Sequence, residues 1–404
     1  MGHEEFDNRL FASDMLPDPY PVYDLLRQQD PVQWNESINA WVVTSHKDAS
    51  IVLKGHGYSS DRVSLARLRY PDTAQTAFDV LSRVMVQVDE PQHKKLRELV
   101  HSAFTRTAVQ NYESTVIGLC HDLLTPAIER GNMEFMTEFA IPLPLLVISE
   151  IVGVPPEDRE MIKQWCDAYS FLILNFYVHI EEDRLADCTA KLAEFCAYLR
   201  ERVAAAEKAP QQDLISSLAL AAQNDDTLTV EDVVANCILL LNAGNETTSC
   251  LLGTGMHLLM EHPDQLAILR ADPSRIPNAI EEFMRVDSPV QFLGRVAAID
   301  LDLGGHRISK GDMVLPVIGA ANRDPEVFAS PEKLDVTREH NHQLGFGTGP
   351  HMCAGIQLAR FEARVAFEFL LNKISVLESI SDAREYSPNF NMRCLLTLPM
   401  AVSA

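Results

Sequence analysis

No stretch of this 404-residue chain is apolar and long enough to cross a bilayer. Its longest apolar run, residues 233–241, is interrupted at Asn236 and ends at Asn242. Basic residues are scarce: 34 Lys and Arg stand against 57 Asp and Glu, a net charge of −23. Such a surface repels nucleic-acid phosphates and anionic lipid, so neither nucleic acid nor membrane is an expected partner. Residues 1–16 carry Glu4, Glu5, Asp7 and Asp14 and lack both a basic and an apolar region, which excludes a secretory signal and predicts a soluble, cytoplasmic protein. With no Gly/Ser-rich linker, low-complexity tract or repeat to divide it, the chain reads as a single domain over 1–404. Cys-x-x-Cys pairs are also missing. Most of the eight cysteines lie in apolar helical runs, where reduced cysteine acts as a small hydrophobe, so no disulfide is expected.

Helical periodicity fills most of what remains. Apolar residues recur at three- and four-residue spacing over 21–28, 93–103, 109–128, 142–152, 158–171, 182–206 and 214–222. Strand signals are few: residues 41–44 alternate weakly, and Gly304-Gly305 with Lys310-Gly311-Asp312 brackets a short hairpin before residues 313–315. The fold class is therefore mainly α with a small β region. One helix is exceptional. Thr229 and Asp232 form a capping box, the pattern continues to His262, and Pro263 stops it. At about 1.5 Å per residue it spans about 50 Å. Ala243, Gly244, Asn245, Glu246, Thr247 and Thr248 interrupt its apolar middle, which implies either a buried polar task or a solvated face.

Only one cysteine has neighbours that suggest chemistry. Phe346-Gly347-Thr348-Gly349-Pro350-His351-Met352-Cys353-Ala354-Gly355 follows a loop and precedes a helix to about Asn372. Two glycines allow tight turns ahead of Cys353, and Gly355 leaves space for something flat. Unpaired N–H groups at a helix start favour a thiolate, and a thiolate is a strong axial ligand for haem iron. A zinc set drawn from His340, His342, His351 and Cys353 is the alternative, although zinc sites show short paired spacings.

This string resembles the cysteine-ligand loop of the cytochrome P450 family, Phe-Gly-x-Gly-x-His-x-Cys-x-Gly, with every fixed position filled. The resemblance extends along essentially the whole chain. It implies a mostly helical triangular prism holding haem b (iron protoporphyrin IX), with Cys353 as iron ligand and Phe346, Gly347 and Gly355 around it. Ala243 and Gly244 match the groove beside bound dioxygen, and Glu246 and Thr247 the acid and alcohol that relay protons. His93, Arg97, Arg295 and His351 match contacts to the haem propionates, cations that an acidic chain must supply locally. Glu282 and Arg285, three apart on one helix face, match a structural network completed by Arg338; Lys333-Leu334 departs from the commoner Arg-Phe there.

The resemblance further implies a monomeric monooxygenase that inserts one oxygen atom from dioxygen into a small lipophilic or aromatic substrate. The chain ends soon after the cysteine helix, so electrons are expected from a ferredoxin-type donor with its reductase, with Lys94, Lys95 and Arg106 as a docking patch. Substrate recognition falls in 58–88, 171–179, 239–243, 290–293 and 390–392, where Arg62, Arg67 and Arg69 could meet an anionic group. Other haem-thiolate chemistry (oxidative coupling, nitration, desaturation, peroxygenation) and a non-catalytic haem sensor are the alternatives.

Overall fold

The computed structural model describes residues 10, 12–70, 75–175, 180–225, 227–381 and 384–403. Portions of two recognition segments, 71–74 and 176–179, lie outside them. The helices used below are α1 (His46–Leu53), α2 (Gln92–His101), α3 (Glu113–Arg130), α4 (Pro142–Val152), α5 (Arg159–Leu174), α6 (Glu182–Lys208), α7 (Leu214–Gln223), α8 (Val230–Glu261), α9 (Ile276–Val286) and α10 (Ile356–Lys373). The chain forms two compact units. Met1–Tyr58, Val109–Pro144 and Thr247–Ala404 make the first; Ser59–Ala108 and Leu145–Glu246 make the second.

The first unit carries the sheets. Strands β1 (Val32–Asn35), β2 (Ala40–Val43), β3 (Asn132–Glu134), β4 (Arg295–Ala297), β5 (Leu301–Leu303), β6 (His306–Ile308), β7 (Met313–Pro316), β8 (Val376–Ser379) and β9 (Pro399–Ser403) are all short. In the five-stranded sheet β1, β2, β7 and β4 lie in that order, with β2 and β7 parallel. Val32 faces Val43 across β1 and β2, and both pack with Val314, Ile318 and the α1 residues Val52 and Leu53 in one core. Helix α1 starts at Ser45, whose hydroxyl accepts from the Asp48 amide. The β5–β6 turn uses Gly304 and Gly305 at φ 59° and 88°, the left-handed pair that lets a two-residue hairpin follow strand twist.

The second unit is helical, built on α5, α6 and α7. The amino-terminal part of α8 belongs to it, and the rest of α8, from Thr247, to the first unit. Asp232 Oδ2 accepts from the Thr229 amide and hydroxyl at 2.9 and 2.6 Å, and Thr229 Oγ1 accepts from the Asp232 amide at 3.2 Å. The start of α8 is thus closed from both sides.

Two expectations need correction, and one sheet was not anticipated. The span 109–128 is divided, one helix ending at Gln110 and α3 beginning at Glu113. The sheet of β3, β9 and β8 had no local signal, since its strands lie far apart in sequence. Cys250 and Cys394 form a disulfide, their Cα atoms 4.7 Å apart across 144 residues. Two apolar-looking cysteines meet there because α8 and the carboxy-terminal segment pack together, which no spacing rule reveals.

On α10, Glu362 is wholly buried, and neither carboxyl oxygen has a hydrogen-bond partner among the described residues. Burial holds its carboxyl well above the usual carboxylate range, so the folded chain keeps this group neutral. The sign of the linkage follows. Above the ordinary carboxyl pKa the unfolded chain releases this proton and the folded chain does not. Stability therefore falls by about 1.4 kcal/mol per pH unit as pH rises, until Glu362 itself ionises. Glu362→Gln is expected to abolish this slope. Urea denaturation should show the variant gaining on the wild type between about pH 5 and 7, with the gain fading towards about pH 4. Parallel pH profiles for the two proteins would contradict a neutral Glu362.

Candidate functional site

The cysteine loop is fixed by its own backbone and by the first unit's core. The Leu344 amide donates to Asn322 Oδ1 at 2.7 Å, the Gly347 amide to the Leu344 carbonyl at 2.8 Å, and the Cys353 amide to the Phe346 carbonyl at 2.8 Å. Gly347 and Gly349 take φ values of 68° and 76°. A Cβ on Gly349 would lie 2.8 Å from the Lys54 Cα, so the loop can approach the end of α1 only with glycine there. Phe346 is buried, with the Arg360 guanidinium 5.2 Å from its ring centre. Gly355 caps α10, two residues after Cys353, and a Cβ there would meet nothing within 4 Å.

Cys353 differs from every other thiol in the chain. It is partly exposed, while the five other free cysteines are buried. It also sits at the positive end of α10, where an anion is favoured. No group of three or more His, Cys, Asp or Glu able to hold a metal is found among the described residues, so the zinc set is not assembled.

Helix α8 carries a second distinctive surface. Residues 232–241 and 248–256 are buried, but Ala243 is exposed and Gly244, Glu246 and Thr247 are partly so. An accessible window between two buried stretches of one helix is a place built for a packing partner. The open side of Gly244 is turned elsewhere, since a Cβ there would lie 2.8 Å from Ile148 of α4. Glu246 accepts a short hydrogen bond from the Ser170 hydroxyl of α5. Burial raises its carboxyl pKa, the Ser170 bond pulls it down, Asp167 adds to the rise and Lys163 opposes it.

The expected propionate contacts occupy both units. In the second, His93 on α2 is 2% exposed, and burial lowers its pKa against the opposing pull of Glu90; Arg97 lies one turn on, half-buried. In the first, Arg295 is 5% exposed at the head of β4 and donates to the Gly294 carbonyl at 2.9 Å, and His351 is half-buried in the cysteine loop. Two surface readings need amendment. Lys95 is engaged with Asp225 at 2.7 Å, while Lys94 and Arg106, the other two cations of the expected docking patch, are exposed. Arg67 pairs with Asp79, and Arg62 holds Gln87 and the Val86 carbonyl; the Arg69 side chain lies outside the described residues.

Glu282 and Arg285 are fully buried on α9. Arg285 meets both Glu282 oxygens at 2.8 Å and the carbonyls of Asn322, Pro331 and Lys333 at 3.1, 2.7 and 2.9 Å. Every guanidinium N–H is thereby used. Arg338 Nε reaches the two Glu282 oxygens at 3.1 Å, and Asn341 and the Asp335 amide add bonds at 3.0 Å. Sequence reading did not single out Asn341 or Ser170; each acts through partners distant in sequence.

A haem would find matching chemistry in these parts: an accessible thiol at a helix start, open space at Gly355, a partly exposed α8 middle, and arginines in an otherwise acidic chain. Comparison with known proteins points the same way. A family model described as Cytochrome P450 matches residues 157–399. The chain is 36% identical over 395 residues to the biotin biosynthesis cytochrome P450 of Bacillus subtilis (strain 168), covering 96% of this chain and 97% of that protein. It is 35% identical to the cytochrome P450 monooxygenase PikC of Streptomyces venezuelae, covering 96% and 92%. Among solved structures, P450BioI in complex with acyl carrier protein ligated to hexadec-9Z-enoic acid superposes with a TM-score of 0.90 at 34% identity, covering 97% of this chain and 99% of that one.

Proposed function

The chain belongs to the cytochrome P450 family, and from that premise we propose that it inserts one oxygen atom from dioxygen into a small lipophilic molecule, drawing electrons from a separate ferredoxin-type donor and its reductase. It is a monooxygenase of the mainly α cytochrome P450 fold, and its cofactor is haem b. When bound, haem supplies the activation of dioxygen and the oxidation of the substrate. We read residues 1–404 as one catalytic domain acting as a monomer in the cytoplasm; among the described residues no helix is long and apolar enough to cross a membrane.

The protein's own contributions are binding, orientation and proton supply. Cys353 would hold the iron, with Phe346, Gly347 and Gly355 as cofactor contacts in its loop, and Ala243 and the Gly244 backbone would contact the haem from α8. His93, Arg97, Arg295 and His351 would hold the propionates. Glu246 would deliver protons and Thr247 would pass them on, as a positioned acid and alcohol do in a water-poor site. The observation that carries the reading is the single accessible thiol, Cys353, on a glycine-bent loop at the start of α10.

A lipophilic substrate is supported by the apolar side chains that line a small cleft in the first unit, Leu10, Met15, Phe292, Phe390 and Met392 among them. Phe292, Phe390 and Met392 come from two of the segments assigned to recognition. The hexadec-9Z-enoic acid carried in the P450BioI complex is of this chemical class.

Haem-loaded protein, reduced under carbon monoxide, should give a strongly red-shifted Soret band, and lipophilic ligands should change its spin state. Charge reversal at both Lys94 and Arg106 is expected to slow reduction by ferredoxin about three- to ten-fold at low salt and to flatten the salt dependence. Unchanged rates and salt dependence would remove the docking patch from the account.

A further inference from the structure

A serine inside a helix ordinarily bonds the carbonyl four residues back. Ser170 does otherwise. It is 4% exposed on α5, beside buried Ala168, Tyr169 and Leu172, and its hydroxyl donates to Glu246 Oε2, 76 residues away. Both residues lie in the second unit. On the same helix Lys163 and Asp167 pair at 2.8 Å with side chains 40% and 62% exposed. Residues 163, 167 and 170 share one face, at spacings of four and three. A polar stripe therefore runs along α5 from an exposed ion pair to a buried hydroxyl and ends on the carboxyl of Glu246.

We propose that Ser170 is the positioning residue of the proton supply, orienting the Glu246 carboxyl and passing it protons from the Lys163–Asp167 end of α5. The proposal rests on the reading of Glu246 as the acid. A hydroxyl is suited to the task because it accepts one hydrogen bond while donating another. For each proton that Glu246 gives up, Ser170 Oγ hands its own proton to Oε2 and takes one from water on its outer side, so the hydroxyl is regenerated and no charge remains on it. The charged and titratable groups bearing on Glu246 are Asp167, which favours the protonated acid, Lys163, which favours the carboxylate, and Cys166, whose thiol burial keeps protonated. The Ser170 bond opposes the effect of burial, so removing it should drive the carboxyl further towards its neutral form.

The test uses haem-loaded protein and infrared spectroscopy across pH. Glu246→Gln identifies the carboxylic-acid band by its loss, and Glu362→Gln identifies that of the neutral acid on α10. Ser170→Ala is expected to move the Glu246 band to higher frequency and to raise the pH at which it vanishes by about one unit. Ser170→Thr, which keeps the hydroxyl, should restore both. With a plant-type ferredoxin and its reductase as electron source, the alkaline limb of oxygen consumption should move by the same amount in Ser170→Ala. A band and midpoint left at wild-type values by Ser170→Ala would overturn the assignment of Ser170. A pH profile left unchanged by Glu246→Gln would instead overturn the reading of Glu246 as the acid, whatever Ser170→Ala does to the band.

Discussion

Cys353→Ser protein, loaded with haem, is expected to lack the red-shifted Soret band of the reduced carbon-monoxide complex and to lose turnover on the order of 10⁴-fold. The size follows from what is exchanged. A thiolate is an anionic, polarisable donor to iron, whereas a serine hydroxyl at the same place is a neutral, weak one. No other thiol can stand in. Burial pushes Cys120 and Cys237 up to about 12 and Cys196 up to about 11, and it raises Cys166 and Cys188 as well. These groups stay protonated inside helices, and the disulfide occupies Cys250 and Cys394. The substitution is nearly isosteric at a partly exposed position, so the fold should survive it. Circular dichroism and urea midpoints equal to wild type would show that it has. A Cys353→Ser protein that kept the thiolate spectrum and its oxidising power would end the assignment of the iron ligand.

The elements most legible in the sequence are those fixed by short-range chemistry. Thr229 and Asp232 announce the start of α8, and Pro263 opens the next helix immediately after it. Gly304-Gly305 marks the β5–β6 turn because only a pair of left-handed residues fits there. The Cys353 loop is legible for the same reason: its two glycines take positive φ, and one of them touches the α1 backbone. What local pattern cannot carry is a partner chosen by tertiary packing. Glu362 sits at an ordinary helical position, and only the packing around α10 makes it a neutral acid. Ser170 reads as a small polar interruption of α5 until Glu246 arrives beside it. Helix α1 was missed because its 8 residues, with His46, Lys47 and Asp48 in the first turn, are too few for a periodic signal.

The second large effect belongs to Glu282 and Arg285. Glu282→Ala is expected to cost about 3–5 kcal/mol in urea unfolding, because it leaves Arg285 buried without its counter-charge. Arg285→Lys should cost about 2–3 kcal/mol although the charge is kept, since an ammonium cannot reproduce the fork that meets Glu282 and three carbonyls. Arg338→Ala should cost less, because its side chain is 12% exposed and Arg285 still neutralises Glu282. The ranking separates a buried network from three independent surface charges, for which all three losses would be small and alike. The network also has a route to the cysteine. Arg285 donates to the Asn322 carbonyl, Asn322 Oδ1 accepts from the Leu344 amide, and the Leu344 carbonyl accepts from Gly347 in the loop that ends at Cys353. Loosening this chain should lower haem retention along with stability, which the ratio of Soret to protein absorbance would measure after gel filtration. Variants that lost stability yet retained haem fully would show that the network holds the fold without positioning the loop. Variants that lost neither would show that the two charges do not form a buried pair in the folded protein.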